Sequence, residues 1–477
     1  MIGEAPAGRI GPTHLRTLVT RDPLIAAVLF AFTLWLILPA VDETPFHRDE
    51  ARWIYRVNLL REWSDPLGPR WQDEGYPIRY RSYDENYRMR GQPPFAGYVF
   101  GLGLLLQGRD ATTNGYWIMD RDDAWNAARG HMPSAGDLRA ARRTNVVIAG
   151  LTVVAVYFIG KRLTNRLGGV IGALALAVHP MLEDTATRAW SDPLLMLLIA
   201  LAAVASYRLA DRPTWPRAIM LGTLLGLGGA TKLSPLLLAL PLAGLGALFL
   251  VERWWRSRRG ATLPGRRLGW MLLAVPLIAF VVFVAVYPFT WTSPINHSYD
   301  LFAFRADSFR RQAAAFPPAE VNGLPDAFRR VGDELGARFS ATGRIVDEVE
   351  QHSGIGLPDA WRDNGFDLAV AVVGLELLVV LLARRGLRSA HALAAFVFGG
   401  QALMIIVSMG VEYARYLLPV LLLVVVCIGV VAGQGWIALR RLWATRDRLG
   451  RVARPSPRPI SPRPALTEGI QIGPGNV

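Results

Sequence analysis

A single cysteine, Cys427, stands among the 477 residues. A disulfide within the chain is therefore excluded, and its setting, LPVLLLVVVCIGVV, makes the thiol a small apolar filler. No internal repeat is visible, and low complexity is confined to the Pro/Arg tail RVARPSPRPISPRP, whose composition suits a disordered cytoplasmic segment. No small-x-small cleavage site follows the first apolar run, LIAAVLFAFTLWLILPAV, which is expected to stay as a signal anchor. His, Asp and Glu show no spacing that specifies a metal site.

What is present is apolar. The chain is 52% hydrophobic with a mean hydropathy of +0.26, above the usual soluble domain. A net charge of +14 raises nucleic acid as a partner. The basic residues, however, gather beside apolar runs, as in RWWRSRRGATLPGRRLGW, the pattern of positive-inside topology and an anionic inner leaflet. No nucleic-acid partner is expected.

Spanning a bilayer takes about 20 apolar residues, with about 17 tolerated. Candidate spans lie near 24–41, 145–160, 167–182, 193–209, 218–232, 233–251, 270–289, 367–383, 391–409 and 416–436. The run PPFAGYVFGLGLLLQG, 93–108, is shorter and suits an interfacial or re-entrant helix. Leaving it out puts the basic loops 161–166, 210–217, 252–269 and 384–390, the N-terminus and the tail on one side. The expectation is an all-α polytopic integral membrane protein of about ten spans, both ends cytoplasmic. Its parts would be an N-terminus 1–23, a membrane module 24–251 with external loop 42–144, a second module 252–436 with external loop 290–366, and a tail 437–477.

The stretch FHRDEARW opens the first external loop. DEARWIYRVNLLREW is expected to form a helix over 49–63, with Trp53, Ile54, Val57, Leu60 and Trp63 on one stripe. Trp on one face with Arg52, Arg56 and Glu62 off it suits a helix lying in the membrane interface. Asp49 and Glu50 then occupy its first turn, where free N–H groups and the helix dipole favour ionised carboxylates. Such a carboxylate serves either as a general base or simply as a helix cap. More charges stand at predicted external edges. Arg88 and Arg90 precede Pro93 and Pro94, Arg188 and Asp192 flank a short loop, Lys232 sits at a turn, and Arg415 borders the last span. Snorkelling is the alternative for each. His131, His179, His297 and His352 suit surface or loop positions.

Taken in order, Asp49-Glu50, Gln92-Pro93-Pro94, Asp192-Pro193, Thr231-Lys232 and Arg415-Tyr416-Leu417-Leu418-Pro419 resemble the motifs of the C-type-fold glycosyltransferases. The likeness is to the branch holding protein O-mannosyltransferases and lipid A aminoarabinose transferases, over roughly residues 24–436. One departure is Gln92, where the aminoarabinose transferases carry Lys; Arg88 or Arg90 would take over its phosphate contact.

The resemblance implies transfer of a sugar from a polyprenyl-phosphate donor to a hydroxyl acceptor (protein, lipid or envelope glycan). It places the active site on the outer face of the cytoplasmic membrane. Asp49 would be the general base of an inverting displacement. Lys232, Arg415 and Arg90 would stabilise the phosphate leaving group, with Glu50 and Asp192 orienting hydroxyls. A divalent ion shared by His47, Asp49, Glu50 and Asp192 is the one cofactor these residue types allow. Two other readings fit a polytopic chain: a transporter or lipid flippase, and an inactive envelope-assembly partner. About 180 residues in two external segments suit an acceptor-binding enzyme better.

Overall fold

The computed structural model describes residues 12–72, 92–258, 266–358 and 365–452. Arg88, Arg90 and the Pro/Arg tail beyond Val452 lie outside them. Every expected apolar segment falls on a helix, because a chain in hydrocarbon must satisfy its backbone polar groups internally. In chain order the principal helices are α1 Pro12–Ile37, α2 Arg48–Tyr55, α3 Phe95–Leu106, α4 Ala135–Leu163, α5 Arg166–Ala177, α6 Pro180–Ala186, α7 Asp192–Asp211 and α8 Trp215–Gly229. Then follow α9 Ser234–Ser257, α10 Arg266–Val286, α11 Pro294–Ala315, α12 Gly323–Gly332, α13 Ala341–Ser353, α14 Gly365–Arg385, α15 Ala390–Val407 and α16 Leu418–Val452.

Among the described residues, eight helices are long and apolar enough to cross a membrane, and one bent pair makes up to nine. The protein is an all-α integral membrane protein. Two of the ten expected spans take another form. Segment 167–182 breaks into α5 and α6, bent by 58°. His179 precedes Pro180, which disfavours helical geometry at the residue before it, and adopts φ −73°, ψ 125°. That histidine, expected at the surface, is buried and caps α6 by accepting from the Met181 N–H. Segment 218–232 is α8, only 15 residues long.

The compact unit ends at Gln434, and α16 from Gly435 onward belongs to a second unit. In the first, α7 is central: it packs on α4, α8 and α15, and 72% of its most apolar window is buried, against 22% for α1 and α14. Glycines bring α5 and α16 together. A Cβ on Gly168 would lie 2.6 Å from the Gly429 carbonyl oxygen.

The first external segment departs from one continuous helix over 49–63. After Tyr55 the chain tightens into a 3₁₀ helix, Arg56–Ser64, packed on α3. Arg56 sits in this contact rather than off the stripe. It is buried and donates to the Gln92 carbonyl at 3.0 Å, and a Cβ on Gly97 would fall 2.5 Å from its own carbonyl oxygen. In the second external segment, an isolated antiparallel bridge joins Glu320 to Val411, just before the residues that lead to Arg415.

Candidate active site

His47 caps α2 with its side chain, and Glu50 returns the bond to the His47 N–H, a complete capping box. This fixes Asp49 in the first turn of α2. The Asp49 carboxylate meets Arg415, 366 residues away, with Nη2 donating to Oδ2 at 2.7 Å. Burial opposes its ionisation, but the Arg415 charge and hydrogen bond outweigh it, and the carboxyl is held below its usual value. Burial, with Arg415 and Arg188 nearby, outweighs the Asp49 carboxylate and lowers the His47 pKa.

Aromatic rings organise the cations. The Arg415 guanidinium lies over Trp190 at 4.6 Å and near Tyr413 and Tyr416, each at 5.6 Å. Its buried Nε has no acceptor among the described residues, and the same holds for Trp190 Nε1 and Ser191 Oγ. Lys232 pairs with the buried Asp192 and stands 4.2 Å over the Tyr416 ring. Arg305 donates to the Tyr416 hydroxyl at 3.1 Å. Two ion pairs from four distant segments therefore share one aromatic residue. Arg415 and Lys232 are each paired with a carboxylate (Asp49, Asp192), while Arg305 at Tyr416 and Arg52 near Asp49 add further positive charge.

Residues 134–289 match the family model of the dolichyl-phosphate-mannose-protein mannosyltransferases. That stretch carries Asp192 and Lys232; Asp49 and Arg415 fall outside it. No curated protein matches the chain in sequence. Among solved structures, the archaeal oligosaccharyltransferase AglB from Archaeoglobus fulgidus, in complex with an inhibitory peptide and a dolichol-phosphate, is similar at 13% identity and TM-score 0.49. That alignment covers 89% of this chain and 52% of that one. ArnT from Cupriavidus metallidurans bound to undecaprenyl phosphate is similar at 16% identity and TM-score 0.42, over 88% and 60%. The S. cerevisiae protein O-mannosyltransferase Pmt1-Pmt2 complex bound to the sugar donor is similar at 16% identity and TM-score 0.38, over 57% and 34%. The chain thus spans about half the length of the archaeal protein.

Glu50 stands apart from the Asp49–Arg415 pair. It is fully buried, and its oxygens accept from Arg142 Nε and Nη2, both at 2.8 Å, and from the Ala189 and His47 N–H groups, both at 2.9 Å. Arg142 also holds the carbonyls of Val41, Thr44 and Pro45, so one buried pair ties the end of the first span to α4 and to the turn bearing Trp190. Gln92 acts in the fold through its carbonyl, which accepts from Arg56 and from the Tyr287 hydroxyl. His47, Asp49, Glu50 and Asp192 do not make one ligand set, because each carboxylate faces its own cation. Among the described residues no three His, Cys, Asp or Glu converge on a point.

Three contributors escaped the sequence reading. Arg305 lies in an amphipathic helix with no motif around it, Arg142 looks like one of several arginines ending a loop, and Trp190 is one tryptophan among fifteen. The one available signal was at Trp190, which stands just before Ser191-Asp192-Pro193.

Proposed function

We propose that this protein is a C-type glycosyltransferase that moves a sugar from a polyprenyl phosphate to a hydroxyl acceptor on the outer face of the cytoplasmic membrane. The observation that carries the proposal is the Asp49–Arg415 contact, a base and an anion-binding cation held together at the end of a helical bundle. The family match over 134–289 supports the donor class, and the surplus of positive charge over carboxylate suits a phosphate anion.

In this reaction the acceptor oxygen bonds to the anomeric carbon while the bond from that carbon to the phosphate oxygen breaks. The electron pair leaves on the phosphate, and the acceptor proton passes to Asp49. One displacement with no enzyme nucleophile inverts the anomeric centre. Arg415, whose buried Nε has no other acceptor among the described residues, and Lys232 receive the growing phosphate charge. As Arg415 turns to the phosphate, Asp49 loses its partner and becomes the stronger base the acceptor requires. Asp192 keeps Lys232 oriented, and Glu50 positions α2. By the family likeness Arg88, Arg90 and Gln92 would contact the donor, the two arginines lying outside the described residues. Among the described residues, the Asp and Glu side chains present no assembled cage for a divalent ion.

Purified protein in nanodiscs, given radiolabelled polyprenyl-phosphate sugars and envelope acceptors, tests the proposal. Asp49→Asn should lower turnover by about 10²-fold or more while donor binding persists. Full activity in that variant, or no binding of any polyprenyl-phosphate sugar to the wild type, would sink it.

A further inference from the structure

At the other end of the bundle, α4 and α7 descend side by side from the candidate site, one from Arg142 and the other from Asp192. Between them runs an apolar groove of about 310 Å³. Leu151 and Phe158 of α4 and Leu197 and Val204 of α7 line it, and Arg162 and Arg208 close its far end. The lining runs over twelve residues on each helix, Leu151 to Arg162 and Leu197 to Arg208, eleven steps or about 16 Å at the helical rise. Half of a hydrocarbon core of about 30 Å is about 15 Å. The groove therefore has the length of one leaflet. The basic loops 161–166 and 210–217 border its charged end and mark that leaflet as the inner one.

Neither arginine pairs with a carboxylate among the described residues. Arg162 rests on the Tyr207 ring at 4.9 Å, and Arg208 is exposed, its carbonyl accepting from Arg217. The neighbouring Lys161 and Arg166 differ, since both pair with Asp22. Two uncommitted guanidinium groups at the mouth of an apolar, leaflet-long slot match a lipid with a phosphate at one end and an acyl chain below it.

We propose that this groove is a binding site for an anionic phospholipid of the inner leaflet, its phosphate between Arg162 and Arg208 and one acyl chain along α4 and α7. The site lies at the opposite ends of these helices from Asp49 and Arg415, and it does not depend on the reaction proposed above.

Native mass spectrometry of the full chain, released from nanodiscs of equal parts phosphatidylglycerol and phosphatidylcholine, reads it directly. The wild type should keep phosphatidylglycerol in preference to phosphatidylcholine. Each cation near the surface is worth about 5-fold in retention, so Arg162→Gln with Arg208→Gln should lose about 30-fold. Arg256→Gln, an exposed arginine away from the groove, should lose nothing. Leu201 of α7 also lines the groove, so Leu201→Trp leaves both cations in place, fills the slot and should also abolish retention. Equal retention of the two lipids, or unchanged retention in the double variant, would overturn the proposal. Displacement of the phospholipid by polyprenyl phosphate would overturn it as well and assign the groove to the carrier.

Discussion

At the residue scale, the Asp49–Arg415 pair decides how the site responds to pH. Arg415 holds the Asp49 carboxyl below its usual value, so in the free protein the base is ionised throughout the neutral and mildly acidic range. Because the folded value is depressed, the pair's contribution to stability is present above the unfolded value of about 3.9 and is lost as pH falls through the folded one. The expected profile of kcat/KM, which reports the free enzyme, is flat from neutrality down to about pH 5. In Arg415→Gln the acidic limb should move upward, since burial then acts on Asp49 with less opposition. An unchanged limb in that variant would separate the two residues. Asp49 and Arg415 were legible as candidates because charges at the edges of apolar runs are costly and few. That they touch was not.

At the scale of elements, two devices hold the site together. The buried Glu50–Arg142 pair fastens α2 to α4 and to the Trp190 turn. Removing one partner strands the other charge in the interior, so Glu50→Gln should destabilise the protein by about 3–5 kcal/mol, seen as a lower Tm in detergent. Joint replacement, Glu50→Gln with Arg142→Met, should recover part of that loss. The second device lies across the site. Arg330 of α12 pairs with Asp326 and Glu412 and donates to the Pro318 and Glu320 carbonyls, which clamps the segment that presents Arg415. Arg330→Ala should raise KM for the lipid-linked donor by roughly tenfold, about 1.4 kcal/mol, with a smaller change in kcat. A loss confined to kcat would point away from donor positioning. Both devices escaped the sequence reading for the same reason. Glu50 and Arg142 are 92 residues apart, and no periodic pattern couples residues at such a distance.

At the scale of the whole molecule, the alternation of basic and charge-balanced loops places 42–144 and 290–366 on one side of the bilayer. In the fold, Arg305 of the second segment reaches Tyr416, the neighbour of the Arg415 that pairs with Asp49 of the first, while Asp22, Lys161 and Arg166 gather at the other end of α1 and α4. Cys427 is buried and should resist an impermeant maleimide, and Cys427→Ala supplies a clean background. In intact cells Asp120→Cys should then label and Arg256→Cys should not. The reverse result would invert the topology and move the proposed reaction to the cytoplasm.

The sequence by itself determined where most of the hydrocarbon-length helices lie, the side that an arginine count assigns to each loop, and which few charges border the apolar runs. Those are properties of local hydropathy and of counting arginines. Tertiary structure alone decided that the first external helix tightens after Tyr55 and that the adjacent acids Asp49 and Glu50 part company. One of them faces Arg415 in the site and the other faces Arg142 in the core. Successive residues on a helix point about 100° apart, so neighbours in sequence enter different surroundings, and only packing fixes which surroundings those are.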